Sequence, residues 1–385
     1  FVKRKDKIKM KFNIKREIFL SAIQKTLGIV EKKTTMPILN NLLLKATPNE
    51  VVVIATDMET GLTASYQAEI LKEGEITLPA KKLYEMVREI QGDNIHVSKQ
   101  EKDIVVLKCN KAIYHILGMP SDDYPIVEQS VDFTLYPIKR TILYDLMKKT
   151  YFSIANDDLR KNLNGALLET EKYGDHYRIR IVSTDGHRLA IANSEVVSNE
   201  FFITDLDKSI IIPKKGIGEM MRLLEDSRSE EALIGVGNGV FVLKIDHTIL
   251  RERLIDSAYP DYRRIIPADR GIKITLDRDQ LLHAVRRMFV ITSEKYNNMI
   301  ITISSGKASF SSANSDIGEA NDEIETYYEG ESLSIGYNVK YIAEAVEPIG
   351  EKNIEFEING DMKPTVIRGS GNDDYFCIVM PLKIN

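Results

Sequence analysis

Cysteine is scarce in this chain, and its scarcity excludes a disulfide-rich scaffold. The 385 residues contain two cysteines, Cys109 and Cys377, each within an apolar run of the kind that forms buried strands. We interpret both as inert buried thiols of a protein that works in a reducing, cytoplasmic setting. Tryptophan is absent, and no stretch approaches the ~18 uninterrupted apolar residues that a membrane-spanning helix needs. These absences favour a globular protein that does not span a membrane.

The usual signatures of catalysis and cofactor binding are also missing. The sequence has no Walker phosphate loop, no GxGxxG, no GxSxG and no HExxH. The six histidines are scattered, and Asp185 and His187 place an acid and a histidine close together in one motif. No partner at metal-ligand spacing accompanies them, so we predict no catalytic residue, no metal site and no cofactor. An enzyme that uses Asp185 and His187 as a base or metal site remains an alternative.

What the sequence does contain is one pattern repeated three times. Asp57, Asp185 and Asn314 each follow a run rich in β-branched residues, and they are 128 and 129 residues apart. Two further landmarks keep the same order. One begins at Pro79, Pro213 and Asn338, and the other consists of Lys11-Phe12-Asn13-Ile14, Asp132-Phe133-Thr134-Leu135 and Lys273-Ile274-Thr275-Leu276. We therefore predict three copies of one domain, each long enough to bury its own core.

Each copy is predicted to be an α+β domain with two helices packed on mostly antiparallel sheets, and to begin with a short strand at the Lys11, Asp132 or Lys273 landmark. In the second copy, residues 176–183 and 188–193 flank an Asp185-Gly186 turn and are predicted to form a β-hairpin. Residues 10–131, 132–264 and 265–385 form the three domains. Residues 1–9 are basic and precede Met10, where the first copy begins. We interpret them as an upstream extension or as residues introduced by cloning, with Met10 the expected natural start.

Positive charge is not in excess, because the formal net charge is −5. Its distribution says more than its sum. Acidic residues concentrate in turns and strand ends, whereas lysines and arginines recur on the predicted helices of all three copies. If these helices line one surface, we expect salt-sensitive contact with duplex backbone that does not read bases. The helix cations expected to face DNA are Lys25, Lys81, Lys82, Lys148, Lys149, Lys214, Lys215, Arg286 and Arg287.

Several motifs resemble those of the bacterial sliding clamps, the β subunit of DNA polymerase III. The resemblance runs from Met10 to the C-terminus. The motifs that carry it are Met36-Pro37-Ile38-Leu39-Asn40-Asn41, Leu163-Asn164-Gly165, Thr184-Asp185-Gly186-His187-Arg188-Leu189-Ala190, Tyr259-Pro260-Asp261-Tyr262-Arg263-Arg264 and Val379-Met380-Pro381-Leu382-Lys383.

The resemblance implies a DNA polymerase processivity factor that slides on double-stranded DNA without sequence specificity. Two chains would close head to tail into a ring of six domains, with helices inside and sheets outside. The homodimer contact would place Tyr114 and Ile116 of the first copy against Val290 and Ile291 of the third. Lys33 would join the DNA-facing cations.

The resemblance also implies a peptide-binding pocket between the second and third domains. The DNA polymerase III catalytic subunit, the clamp loader, and other polymerases and repair proteins would bind there through a short clamp-binding peptide. Its expected lining is Leu163, Thr184, Gly186, His187, Arg188, Leu189, Pro260, Arg264, Ile265, Ile378, Met380, Pro381 and Leu382. Only the second copy contains Gly-His-Arg-Leu, so one pocket per chain is expected. A monomeric peptide-binding scaffold that does not bind DNA is the other alternative.

Overall fold

The fold is an alternation of short strands and helices, seen in a computed structural model. The structure describes residues 9–30, 36–125, 134–173, 176–196, 209–268, 271–292, 297–360 and 362–384. Lys33, Asp132, Phe133 and nearly all of the expected extension 1–9 lie outside the described residues. Within the described residues, no helix is long and apolar enough to cross a membrane.

Each predicted copy contains two α-helices in the described residues, as expected. They are α1 (Arg16–Thr26), α2 (Ala80–Glu89), α3 (Arg140–Thr150), α4 (Lys214–Asp226), α5 (Arg278–Ile291) and α6 (Val339–Val346). The second helix of a copy starts directly after a strand, at the Pro79, Pro213 and Asn338 landmarks. In α2, Leu83 and Val87 are buried while Lys81 and Lys82 are exposed, which is the spacing of an amphipathic helix.

The strands are short, and their pairings are antiparallel in the described residues. They are β1 (Met10–Lys15), β2 (Asn41–Ala46), β3 (Glu50–Thr56), β4 (Thr60–Gln67), β5 (Glu69–Lys72), β6 (Gly74–Pro79), β7 (Asn94–Lys99), β8 (Ile104–Cys109), β9 (Ala112–Leu117), β10 (Tyr136–Lys139), β11 (Gly165–Tyr173), β12 (His176–Thr184), β13 (Arg188–Val196), β14 (Ile210–Pro213), β15 (Glu231–Gly237), β16 (Val240–Ile245), β17 (Thr248–Arg253), β18 (Ile272–Asp277), β19 (Asn298–Ser304), β20 (Lys307–Asn314), β21 (Gly318–Glu325), β22 (Leu333–Asn338), β23 (Asn353–Ile358), β24 (Thr365–Gly369) and β25 (Tyr375–Val379). The predicted α+β class with antiparallel sheets is confirmed.

The described residues form four sheets, and two of these sheets join strands from neighbouring copies. Their strand orders are β5-β1-β7-β8-β9, β10-β15-β16-β17-β4-β3-β2-β6, β14-β11-β12-β13-β25-β24-β23-β18 and β21-β20-β19-β22. In the second sheet, β17 of the second copy pairs with β4 of the first, with Arg251 opposite Gly61. In the third, β13 of the second copy pairs with β25 of the third, with Leu189 opposite Ile378.

The compact units of the chain therefore differ from its repeats. One unit comprises Phe1–Thr141 and Gly218–Leu254, and the other comprises Ile142–Ile217 and Ile255–Asn385. The second copy contributes to both units because its strands belong to two different sheets. Repeat boundaries follow sequence similarity, whereas compact units follow shared hydrogen-bonded sheets.

Alternating burial in the strands builds the core of the first copy. In β1, Phe12 and Ile14 are buried while Asn13 between them is partly exposed. The rings of Phe12 and Phe19 of α1 meet edge to face, with centroids 6.2 Å apart. Both cysteines are free and buried in the structure, and burial raises the pKa of Cys377 to about 12.

The strand expected to open the second copy is misplaced in the sequence prediction. Thr134 and Leu135 are not in a strand, and β10 begins at Tyr136. By its place before the first helix, Tyr136 is the counterpart of Phe12 and Ile274. The Asp-Phe-Thr-Leu motif has the alternation of a strand, but alternation alone does not fix where a strand begins.

An arginine that occupies the same position in all three copies was missed by the sequence prediction. The first residue of the first helix in each copy is Arg16, Arg140 or Arg278, and its guanidinium donates to a carbonyl in the last turn of the second helix or just after that helix. The bonds are Arg16 Nη2 to Arg88 O at 2.6 Å, Arg140 Nη1 to Leu224 O at 2.7 Å and Arg278 Nη2 to Glu347 O at 2.9 Å. Carbonyls at helix C-termini lack intrahelical partners, so each arginine ties the two helices of its copy together.

Candidate functional site

The repeated Thr-Asp motif forms a tight turn between two strands. In the second copy, Asp185 Oδ1 accepts from the backbone N–H groups of His187 and Arg188 at 3.0 and 3.1 Å. In the first copy, Asp57 Oδ1 accepts from Glu59 and Thr60 in the same way, at 2.9 and 2.6 Å. The repeated acid is thus a turn-forming group in both copies.

Each of the two turns also contains one residue with a positive φ angle. Gly186 has φ 90°, and Met58 occupies the corresponding position with φ 82°. Glycine reaches this conformation without steric cost, so the turn of the second copy is the less strained. The predicted β-hairpin at Asp185-Gly186 is confirmed.

Arg188 anchors this turn to its surroundings. Its side chain is 6% exposed. The guanidinium donates to Asp185 Oδ2 at 3.0 Å and to Phe152 O at 2.7 Å, and it forms a short ion pair with Glu344 of α6. It also lies 4.3 Å from the ring centroid of Tyr341. Burial opposes its charge, but Glu344 and Asp185 outweigh that effect and raise the pKa of Arg188.

The carboxylate of Asp185 is therefore engaged by two backbone amides and a guanidinium. The ring of His187 is exposed and stacks on Tyr341, with centroids 6.3 Å apart. No group of three or more His, Cys, Asp or Glu suited to a metal occurs in the described part of the chain. This geometry gives Asp185 a structural task and offers no specific support for a base or metal site.

A cavity of about 610 Å³ opens beside the Asp185 turn. Its volume and its mixture of apolar and polar walls suit a short peptide or a small molecule. Of the predicted pocket residues, those that line it are Thr184, Gly186, His187, Arg188, Leu189, Arg264, Ile265, Ile378 and Met380. The backbone N–H of Met380 donates to His187 O at 2.9 Å, which joins the two walls.

Four predicted pocket residues do not line this cavity. Leu163 is buried, and its carbonyl accepts from Ala155 N–H. Leu382 donates its N–H to Gly336 O of β22 at 2.7 Å, so it lies beside that strand and not in the cavity wall. Pro381 is buried and Pro260 is exposed, and neither contributes to the wall.

The structure adds two wall segments that the sequence prediction missed. They are Ile266, Pro267 and Ala268 in the linker after β17, and Asn359, Lys363 and Pro364 between β23 and β24. The first set directly continues the predicted Arg264-Ile265 and could have been found by extending that motif. The second set carried no sequence signal, because only the pairing of β24 with β25 brings it near the Asp185 turn.

A partly buried polar cluster around Tyr262 fixes the linker that forms one wall of the cavity. Tyr262 is 2% exposed, and its hydroxyl forms a short hydrogen bond to Glu169 Oε1. Arg180 and Arg263 donate to the same oxygen at 3.1 and 2.9 Å. Arg264 and Ile265 follow immediately, so the cluster holds their backbone against the sheet.

The predicted DNA-facing cations differ in how free they are. Lys25 is half-buried, with Nζ 3.4 Å from Thr248 Oγ1 and 5.9 Å from the ring centroid of Tyr66. Lys214 donates to Ile154 O at 2.7 Å, and burial followed by the charge of Arg188 lowers its pKa. Both cations make contacts within their own compact units, so a phosphate would have to compete with those contacts.

The remaining helix cations lie on or near the surface. Lys81, Lys82, Lys148, Lys215, Arg286 and Arg287 are exposed, and Lys149 is partly exposed. Several have acidic neighbours, for example Lys82 with Glu85 at 2.7 Å and Lys149 with Asp145 at 3.0 Å. Exposed pairs of this kind are worth about 0 to 1 kcal/mol, so the cations can exchange these partners for phosphates.

The predicted dimer residues lie at an edge strand and at a helix end. β9 is the edge strand of the five-stranded sheet, where Tyr114 and Ile116 pack on the core of the first copy and Ile116 is 5% exposed. Val290, near the end of α5, is 76% exposed, and Ile291 is partly exposed. On β9 the exposed apolar side chains are Ile113 and Leu117, which the sequence prediction did not name.

Comparison with family models finds three matches in chain order. The model described as DNA polymerase III beta subunit, N-terminal domain, matches residues 10–128. The central-domain model matches residues 137–261, and the C-terminal-domain model matches residues 263–383. Among curated proteins, the beta sliding clamps of Pseudomonas putida and Caulobacter vibrioides are each 30% identical over 377 residues, covering 97% of this chain and 100% of the relative.

Solved structures agree over the same length. The crystal structure of the Caulobacter crescentus beta sliding clamp is 30% identical with a TM-score of 0.91, covering 97% of this chain and 99% of that one. The sliding clamp of Pseudomonas aeruginosa bound to griselimycin is 30% identical with a TM-score of 0.87, covering 97% and 100%.

Proposed function

The chain belongs to the DNA polymerase III beta subunit family, the sliding clamps that act as polymerase processivity factors, and we propose that two copies close head to tail into a ring around duplex DNA. The ring slides without reading sequence and tethers the polymerase topologically. We assign it no catalytic activity and no cofactor, and we place its action in the cytoplasm.

The observation that carries the ring is the way each copy extends the sheet of its neighbour. At the first junction, the strand after the Asp57 turn, β4, pairs with the last strand of the second copy, β17. At the second junction, the strand after the Asp185 turn, β13, pairs with the last strand of the third copy, β25. The same rule applied once more pairs β21, which follows the Asn314 turn, with β9 of a second chain.

Both of these strands lie at sheet edges within the described residues. β21 begins the order β21-β20-β19-β22, and β9 ends the order β5-β1-β7-β8-β9. Unpaired edges readily template association, and β9 exposes Ile113 and Leu117 beside its edge. Two such contacts between two chains close a ring and leave neither edge open.

We also propose domain bounds, phosphate-contacting residues and a peptide-binding site for this chain. The three domains are 10–131, 132–264 and 265–385. The exposed helix cations contact phosphates, which is supported by their recurrence in all three copies. The cavity beside Asp185 receives the clamp-binding peptides of the polymerase catalytic subunit, the clamp loader and repair proteins, which is supported by its size and its apolar walls.

Retention on DNA of different topology tests the ring. The clamp is assembled on nicked circular DNA with a clamp loader, washed in high salt, and then the DNA is linearised. Topological linkage predicts retention on the circle and release from the linear molecule. Persistence on linear DNA, or loss from the circle in high salt, contradicts the proposal.

A pair of matched variants locates the closure in the same assay. Ile113→Glu places a charge beside the β9 edge and should abolish retention on the circle. Leu71→Glu is the control, because Leu71 is 49% exposed on β5 at the opposite edge of the same sheet. Equal retention of the two variants would contradict closure through β9.

A further inference from the structure

A guanidinium joins neighbouring copies at both junctions inside the chain. At the first junction, Arg222 of α4 donates Nη2 to Lys25 O near the end of α1, at 2.7 Å, and forms a short ion pair with Glu219. At the second, Arg188 donates to Phe152 O just after α3, at 2.7 Å, and forms a short ion pair with Glu344. In each case the arginine lies between a carboxylate and a carbonyl at the C-terminal end of a first helix.

The carboxylates are equivalent positions of the repeat. Glu219 and Glu344 both belong to the landmark that starts the second helix, and the first copy has Glu85 there. Carbonyls at the end of a helix lack intrahelical partners and carry the negative end of its dipole. Arginine has several donors in a fixed planar fork, so it can bind carboxylate and carbonyl together.

The first junction is closely packed. A Cβ atom added to Gly28, just after α1, would lie 1.9 Å from Glu219 Oε1. A side chain at residue 28 would therefore have to displace the Glu219 carboxylate from its present position. The contact therefore depends on direct approach of the second helix of one copy to the end of the first helix of its neighbour.

The first copy carries the same pair without a neighbouring copy to bind. Glu85 and Arg88 of α2 have the spacing of Glu219 and Arg222 in α4. Glu85 pairs with Lys82 of its own helix at 2.7 Å. Arg88 pairs with the adjacent Glu89 at 2.9 Å, and its side chain is 55% exposed.

The matching helix end in the third copy is exposed as well. Phe289 and Val290 in the last turn of α5 are 49% and 76% exposed. By its distance from the first residue of the helix, Val290 corresponds to Gly28, which faces Glu219 at the first junction. Among the described residues, Arg88 of the first copy and the last turn of α5 in the third copy are thus both exposed, whereas their counterparts meet at the first junction.

We infer that Arg88, with Glu85, binds the C-terminal end of α5 in a second copy of this chain. This inference rests on the proposed ring and adds a polar contact between helices to the pairing of β9 with β21. Arg88 donates to carbonyls at the end of the helix while Glu85 orients its guanidinium, as Glu219 orients Arg222.

Subunit exchange of the full chain tests this contact. Copies with two different fluorescent labels at the N-terminus are mixed as preformed dimers, and energy transfer reports the dissociation rate. Arg88→Ala should raise that rate about tenfold, the scale of a lost charged hydrogen bond. Arg88→Lys keeps the charge but not the fork and should give an intermediate rate.

Arg253→Ala is the control, because Arg253 is also exposed and paired, 4.0 Å from Glu59. It should exchange like wild type. If Arg88→Ala also exchanges like wild type while the wild type is dimeric, the contact is absent and the ring proposal is unaffected. If the wild type is monomeric in sedimentation, the ring and the contact are both contradicted.

Discussion

Replacing Arg188 with methionine is predicted to destabilise the chain strongly. Methionine keeps much of the length and apolar character of the arginine stem but removes the guanidinium. That group contacts Asp185, Glu344 and the carbonyl of Phe152, and it lies over the ring of Tyr341. Because the side chain is 6% exposed, water cannot readily replace these contacts.

The expected loss in the free energy of unfolding is about 3 kcal/mol. Removing one partner of a buried ion pair costs about 3 to 5 kcal/mol, because the other charge is left unpaired. The lower end applies here since Glu344 is 27% exposed and can be partly hydrated. Adding Glu344→Gln to Arg188→Met removes that unpaired charge and should restore about 1 to 2 kcal/mol.

Urea unfolding followed by far-UV circular dichroism measures these changes, since the chain has no tryptophan to report by fluorescence. Arg264→Met is the matched control. Arg264 lines the same cavity and pairs with Asp261 at 2.9 Å, but it is 85% exposed, so its loss should cost under about 1 kcal/mol. An Arg188→Met variant as stable as Arg264→Met would refute the assignment of Arg188 as a buried anchor.

Two further predictions concern the helices and the thiols. Arg140→Ala removes two bonds, to Leu224 O and Ser229 O at 2.7 and 3.0 Å, and should cost about 2 kcal/mol in urea unfolding. Arg228 is exposed and directly precedes Ser229, so Arg228→Ala should cost little, and equal effects of the two variants would argue against the contact between the helices. Both cysteines are buried and burial raises the pKa of Cys377, so a thiol reagent at neutral pH should modify neither until the chain is unfolded. Rapid modification of the native protein would contradict that burial.

Features set by residues close together in the sequence were predicted well, and features set by distant strand pairing were not. The hairpin at Asp185-Gly186 is set by residues next to one another, and it was predicted correctly. The wall of the cavity at Arg188, Leu189 and Ile378 was named through family resemblance. The wall at Asn359 and Lys363 was missed because strand pairing, which the sequence does not display, brings it there.

The cations show the same limit. Helical spacing identified Lys25 and Lys214 as polar positions of amphipathic helices. It could not reveal that Thr248 and Tyr66 lie beside one, or that the carbonyl of Ile154 accepts from the other. Periodicity tells which face of a helix is polar, but not whether that face meets solvent or another part of the protein.

The sequence by itself determined the threefold repeat, the α+β class and the two helices of each copy, because hydrophobic period and turn chemistry act over a few residues. Tertiary structure alone decided that the second copy shares its strands with both neighbours and that Arg188 bridges the Asp185 turn and α6. It also decided which edges stay unpaired. These features depend on contacts between groups that are far apart in the chain, and no local sequence pattern indicates which distant groups pair.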